Sequence, residues 1–156
     1  MRQQSTVFCS AFLLLASTMA MPAMADGFHQ SALRSANQTE ISSRDQQAFR
    51  IFVKLLLNQK KPRQAYEAMG APNMIQHQPP FGATRESTIE QWETMASLPT
   101  SRFELEWVRF TDRMAVTRFK GHLQPNQPGV EVTMRDRIEG GKIVEEWGEM
   151  RPLDTN

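Results

Sequence analysis

The sequence predicts an α+β fold in which three helices precede a four-stranded antiparallel sheet, with one further short strand near residues 73–77. Two observations carry the prediction. Apolar residues before Ser97 recur at spacings of three and four, and after Ser101 they recur at spacings of two. An apolar helical stripe and an apolar strand face must each be buried against something. Helices grouped on one face of an antiparallel sheet satisfy both.

The first helix is expected over residues 44–58, where Ala48, Phe49, Phe52, Val53, Leu55, Leu56 and Leu57 form a broad stripe and Ser42-Ser43 offer caps. Lys60-Lys61-Pro62 interrupts it, and Pro62 suits the first turn of a shorter second helix that runs through Tyr66 and Met69 and stops at Gly70. The third helix is expected over residues 85–97, with Ile89, Trp92, Met95 and Ala96 on one side and Leu98-Pro99 ending it. Phe103, Leu105 and Trp107 then alternate with Glu104 and Glu106 in a half-buried strand. Thr111-Asp112-Arg113 turns it into a second strand from Met114 to Leu123, and Pro125 to Gly129 turn that into a third. Gly140-Gly141 is a tight hairpin into a fourth strand, Ile143 to Met150.

Residues 1–25 are expected to be a signal peptide. Arg2 leads into the apolar run from Val7 to Ala20, followed by Ala23-Met24-Ala25 as an A-x-A cleavage site. The run is shorter than the ~20 apolar residues of a membrane-spanning helix. Removing it leaves 131 residues with 17 Lys+Arg and 17 Asp+Glu, so the expected mature chain is neutral. A neutral chain has no basic footprint for a phosphate backbone, and no nucleic-acid partner is expected. No membrane association is expected after cleavage, and the expected location is periplasmic or secreted. The sole cysteine, Cys9, lies within the signal, which leaves no disulfide or thiol nucleophile. Residues 26–43 are polar and aperiodic and are expected to be flexible; one domain is expected over residues 44–153.

Asn73-Met74-Ile75-Gln76-His77-Gln78-Pro79, between a helical hairpin and a third helix, resembles the Y-x-Q-H-N-P segment of SnoaL-like proteins, a branch of the nuclear transport factor 2-like superfamily. Gly141-Lys142-Ile143-Val144-Glu145-Glu146-Trp147 resembles their G-K-I-V-E-H-W hairpin. The resemblance covers about residues 44–152. It implies a cone-shaped α+β barrel, with a curved sheet wrapped around the long helix and an apolar pocket at one end. It also implies that a homodimer through the outer sheet face is common in such chains. Several polar positions of the pattern are changed here: Gln78 stands for Asn, Thr117 and Phe119 for a pair of histidines, Met134 for an acid, Glu146 for His, and Gly148 for Asp.

Asp136 is the most informative residue, because Val130, Val132, Met134, Asp136 and Ile138 place a carboxylate on an otherwise apolar strand face. A buried carboxylate must be paired, hydrogen-bonded or protonated. It is either a pocket base with a raised pKa or a strand-end ion pair with an arginine. His77 is either an imidazole at the pocket rim or a ring packed beside Pro79-Pro80. Glu146 is either a pocket acid/base at the position of the pattern's histidine or a surface charge. Phe81, Trp92, Thr117, Phe119, Met134 and Trp147 are expected to wall a ligand pocket. His29, His77 and His122 share no ligand spacing, so neither a metal nor a cofactor is expected.

Two functions fit. One is an exported protein that binds a small hydrophobic compound in the cone without catalytic machinery. The other is a cofactor-free cyclase or isomerase, with Asp136 or Glu146 as general base and His77 donating a hydrogen bond.

Overall fold

The computed structural model describes residues 40–153. The expected signal peptide and most of the expected flexible segment lie outside them. Helix α1 is Ser43–Val53, capped by Ser42, whose hydroxyl accepts from the backbone N–H of Asp45 at 3.1 Å. The chain then widens into a π-helical turn, Lys54–Asn58. A single α-helix would spread consecutive leucines 55, 56 and 57 around its circumference; within the π turn, Leu56 and Leu57 are both buried. Helix α2 is Pro62–Met69, with Pro62 in its first turn, and α3 is Arg85–Ser97, started by a Thr84–Ser87 capping box.

The strands are β1 Gly70–Gln76, β2 Arg102–Thr111, β3 Met114–His122, β4 Val130–Glu139 and β5 Lys142–Pro152. They form one curved, unclosed sheet in the order β1-β5-β4-β3-β2. The four-stranded meander is as expected. The short strand is longer than expected and pairs with β5 in parallel, which makes the sheet five-stranded and mixed. Gly140 and Gly141, with φ of 56° and 74°, form the β4–β5 hairpin in a conformation that suits glycine.

The core lies between the helices and the inner sheet face. Phe49 packs edge-on against Phe110 at 5.8 Å, and Phe52 packs edge-on against Tyr66 at 5.0 Å. Each such large apolar side chain contributes roughly 1.5–3 kcal/mol when fully buried. Ile41 is also buried, and its N–H donates to Asp112 O at 3.0 Å, so the packed chain begins before Arg44.

Two bulges reset the alternation. The β2–β3 register shifts between Leu105 and Trp107, which turns Val108 and Phe110 inward. Of the three alternating residues expected to face the core, only Phe103 is buried. Leu105 is exposed on the edge strand, and Trp107 pairs with Arg118 on the outer face. In β5, Ile143 pairs with Ile138 and Glu145 with Arg137, which leaves Val144 as the extra residue. Regular alternation from the buried Ile143 would turn Glu145 inward. The bulge instead turns Glu146 inward and Glu145 outward.

Candidate functional site

Asp136 on β4 and Glu146 on β5 are register partners, and both side chains are buried inside the sheet, at 0% and 2% exposure. Glu146 Oε2 accepts from the Tyr66 hydroxyl at 2.7 Å, and Oε1 accepts from Gln76 Nε2 at 2.7 Å. The Gln76 carbonyl oxygen accepts from the backbone N–H of Gln78 at 2.9 Å, which fixes the orientation of its amide. The donors therefore come from α2 and the end of β1, and converge on one carboxylate of β5.

Asp136 is different. Neither of its oxygens receives a hydrogen bond from the described residues. None of the described ion pairs includes Asp136 or Glu146; all are formed by more exposed side chains. Two carboxylates cannot both ionise in such a place. Burial, and then the charge of Glu146, push the Asp136 carboxyl well above the usual carboxylate range. Burial also raises Glu146, while hydrogen bonds from Tyr66, Gln76 and Asp136 pull it the other way. The single negative charge thus settles on Glu146, and Asp136 keeps its proton. A neutral carboxyl is the form in which buried oxygens without donors cost least. Burial, followed by the charge of Glu146, pushes the Tyr66 phenol up as well, so it remains a donor.

Glu146 also lines a cavity of about 60 Å³. Four of the expected wall residues line it: Phe81, Trp92, Phe119 and Met134. Trp92 lies within 6.0 Å of the Phe81, Phe103 and Phe119 ring centroids. Gln78 is the other polar residue on the wall, and Met150, 48% exposed, stands at its margin. The indole N–H of Trp92 is buried without an aligned acceptor, as is the hydroxyl of Thr117.

Three expected site residues lie elsewhere. Thr117 is buried on the inner face of β3 opposite Met134, but does not line the cavity. Trp147 is on the outer face, because the β5 bulge reverses the strand there. His77 is on the outer face too. Its ring stacks on Trp147 at 4.6 Å and 2°, and Nε2 lies 2.9 Å from Glu145 Oε2. The expected grouping of His77 with the two buried carboxyls is therefore corrected: strand alternation sends Gln76 inward and its neighbour outward. Glu145 is held below the usual carboxylate range by Arg137 and then by His77.

Tyr66 and Gln76 were not expected at the site, and Gln78 was named only as a changed polar position of the family pattern. Tyr66 carries no sequence signal beyond lying on a short helix. Gln76 and Gln78 do carry one, since both follow the buried Met74 at a period of two. Among the described residues, no cluster of three or more His, Cys, Asp or Glu side chains could hold a metal, and no helix is long and apolar enough to cross a membrane.

No protein-family model and no curated protein sequence matches the chain. Solved structures do. An NTF2-like protein of unknown function from Mesorhizobium loti superposes with a TM-score of 0.60 at 22% identity, over 70% of this chain and 93% of that one. IdmH from Streptomyces antibioticus, a candidate polyketide cyclase, gives 0.54 at 16% identity over 68% and 91%. A candidate SnoaL-like polyketide cyclase from Jannaschia gives 0.56 at 12% identity over 70% and 89%. At these identities the likeness is one of fold.

Proposed function

We propose that this chain, which has the nuclear transport factor 2-like fold shared with SnoaL-like polyketide cyclases, binds a small hydrophobic molecule in its cavity and exchanges a proton with it through Glu146. The observation that carries the reading is the place of Glu146. It lines an apolar cavity while hydrogen-bonded to Tyr66 and Gln76 and coupled to a protonated Asp136. A carboxylate kept from water is a stronger base than one in solution, and a neighbouring carboxylic acid can return the proton. The chemistry suited to this pair is proton abstraction beside a carbonyl without a cofactor.

One observation favours binding without turnover. Glu146 already accepts two short hydrogen bonds, and each lowers its basicity. Export belongs to the proposal as well, supported by the residues that resemble a signal peptide. The N-terminus of the protein recovered from a periplasmic fraction tests it, and a mature chain starting at Asp26 is expected.

The experiment that tests the site is α-proton exchange of a small cyclic ketone, 2-cyclohexenone, in D2O, followed by NMR. Wild type is expected to exchange the α-proton and Glu146→Gln to lose it, while saturation transfer from protein to ketone persists in both. Saturation transfer without exchange in the wild type would support the binding protein and remove the catalytic reading. Neither signal would remove the cavity as a ligand site.

A further inference from the structure

The geometry points to Gln78 as the residue that orients a ligand in this cavity, with Gly148 as the residue that makes room for it. The inference rests on the small-molecule reading above. Gln78 follows β1 and precedes the short 3-10 turn Pro79–Phe81. Its backbone is held on both sides: its N–H donates to Gln76 Oε1 at 2.9 Å, and its carbonyl accepts from the Phe81 N–H at 2.9 Å. Its side chain is nine-tenths buried, lines the cavity, and has no hydrogen-bond partner among the described residues. A fixed backbone carrying a carboxamide without a protein partner on the wall of an apolar cavity is the arrangement of a ligand contact.

The side chain reaches its place by crossing the inner face of β5 at Gly148. A Cβ at Gly148 would overlap Gln78 Oε1 and lie 2.7 Å from Gln78 Cδ. Any side chain there displaces the carboxamide. Gly148 follows Glu146 by two residues on the same strand face, so the carboxamide crosses the strand about 7 Å along from the carboxylate position. A ligand therefore meets Glu146 at one end and Gln78 at the other. A carboxamide both donates and accepts, so it selects a hydrophobic molecule with one hydrogen-bonding group set apart from its reacting atom. Gln78 is a positioning residue; the proton moves at Glu146.

A double-mutant cycle with 2-cyclohexenone tests this. Gln78→Ala, Gly148→Ala and the double variant are compared with wild type by exchange kinetics, or by Kd from saturation transfer if the wild type binds without exchange. Each single variant is expected to lose about tenfold in kcat/KM or Kd, the worth of one neutral hydrogen bond, and the double variant to lose no more than either. The pH profile, set by Asp136 and Glu146, is expected to stay unchanged, which a general loosening of the site would not give. Additive losses, or a Gln78→Ala variant equal to wild type, would overturn the inference and leave the ligand site standing. A wild type that neither binds nor exchanges the ketone overturns the reading beneath it. Melting curves separate misfolding of Gly148→Ala from displacement of Gln78, and Gln78→Ala carries the test if that variant fails to fold.

Discussion

Asp136 and Glu146 stand opposite each other in the β4–β5 register, both buried, with hydrogen-bond donors directed at Glu146 and none of the described donors at Asp136. The asymmetry assigns the charge to one and the proton to the other. It also links stability to pH.

Both carboxyls have folded pKa values above their unfolded ones, so the folded state binds more protons than the unfolded state once pH exceeds the unfolded value near 4. Stability contributed by the pair is then lost as pH rises from there toward the folded value. Asp136→Asn removes one titrating group and most of this slope. Thermal melts between pH 5 and pH 8 are expected to show the wild type falling relative to Asp136→Asn. Parallel curves would show that Asp136 does not hold its proton.

The exposed carboxylates act in the opposite sense. Arg137 lowers Glu145 and Arg135 lowers Glu149, so their contribution is present at neutral pH and is lost as pH falls through their folded values. Glu145→Gln and Glu149→Gln are expected to flatten the acid side of the melting profile below pH 5 and to leave the alkaline side alone.

Tyr66→Phe removes a donor from Glu146 and fills the same volume. Leaving a buried carboxylate short of one hydrogen bond costs about 1–3 kcal/mol, and the Glu146 carboxyl is expected to shift further up. Urea denaturation checks the first effect and carbon-13 NMR of the Glu146 carboxyl the second. An unchanged midpoint would mean that the 2.7 Å contact adds nothing to the fold.

His77→Ala is expected to spare ligand binding, because its ring is on the outer face against Trp147 and Glu145. Loss of the stacked pair is expected to cost on the order of 1 kcal/mol, read as a lower melting temperature. A large loss of ketone exchange with an unchanged melting temperature would place His77 in the site after all.

The helices, the meander and the inward Asp136 were legible because each follows from spacing. The stripe from Phe49 to Leu57 and the alternation from Val132 to Ile138 leave little freedom. Bulges were not legible. Nothing in Ile143-Val144-Glu145-Glu146 says that Val144 is the extra residue, yet that one residue decides which glutamate enters the core and turns Trp147 outward. His77 differs in kind: the period of two running through the buried Met74, Gln76 and Gln78 sets it on the opposite face, against the pocket-rim place that the family resemblance implies. Tyr66 came to the site from a helix 80 residues away in sequence, a distance across which local spacing says nothing.

The central claim is that Asp136 and Glu146 share a single proton at neutral pH. Carbon-13 NMR titration of the two carboxyls, assigned with Asp136→Asn and Glu146→Gln, tests it most directly. Asp136 is predicted to keep its proton well above the usual carboxylate range, with Glu146 ionising before it. Two independent titrations near pH 4 would contradict it.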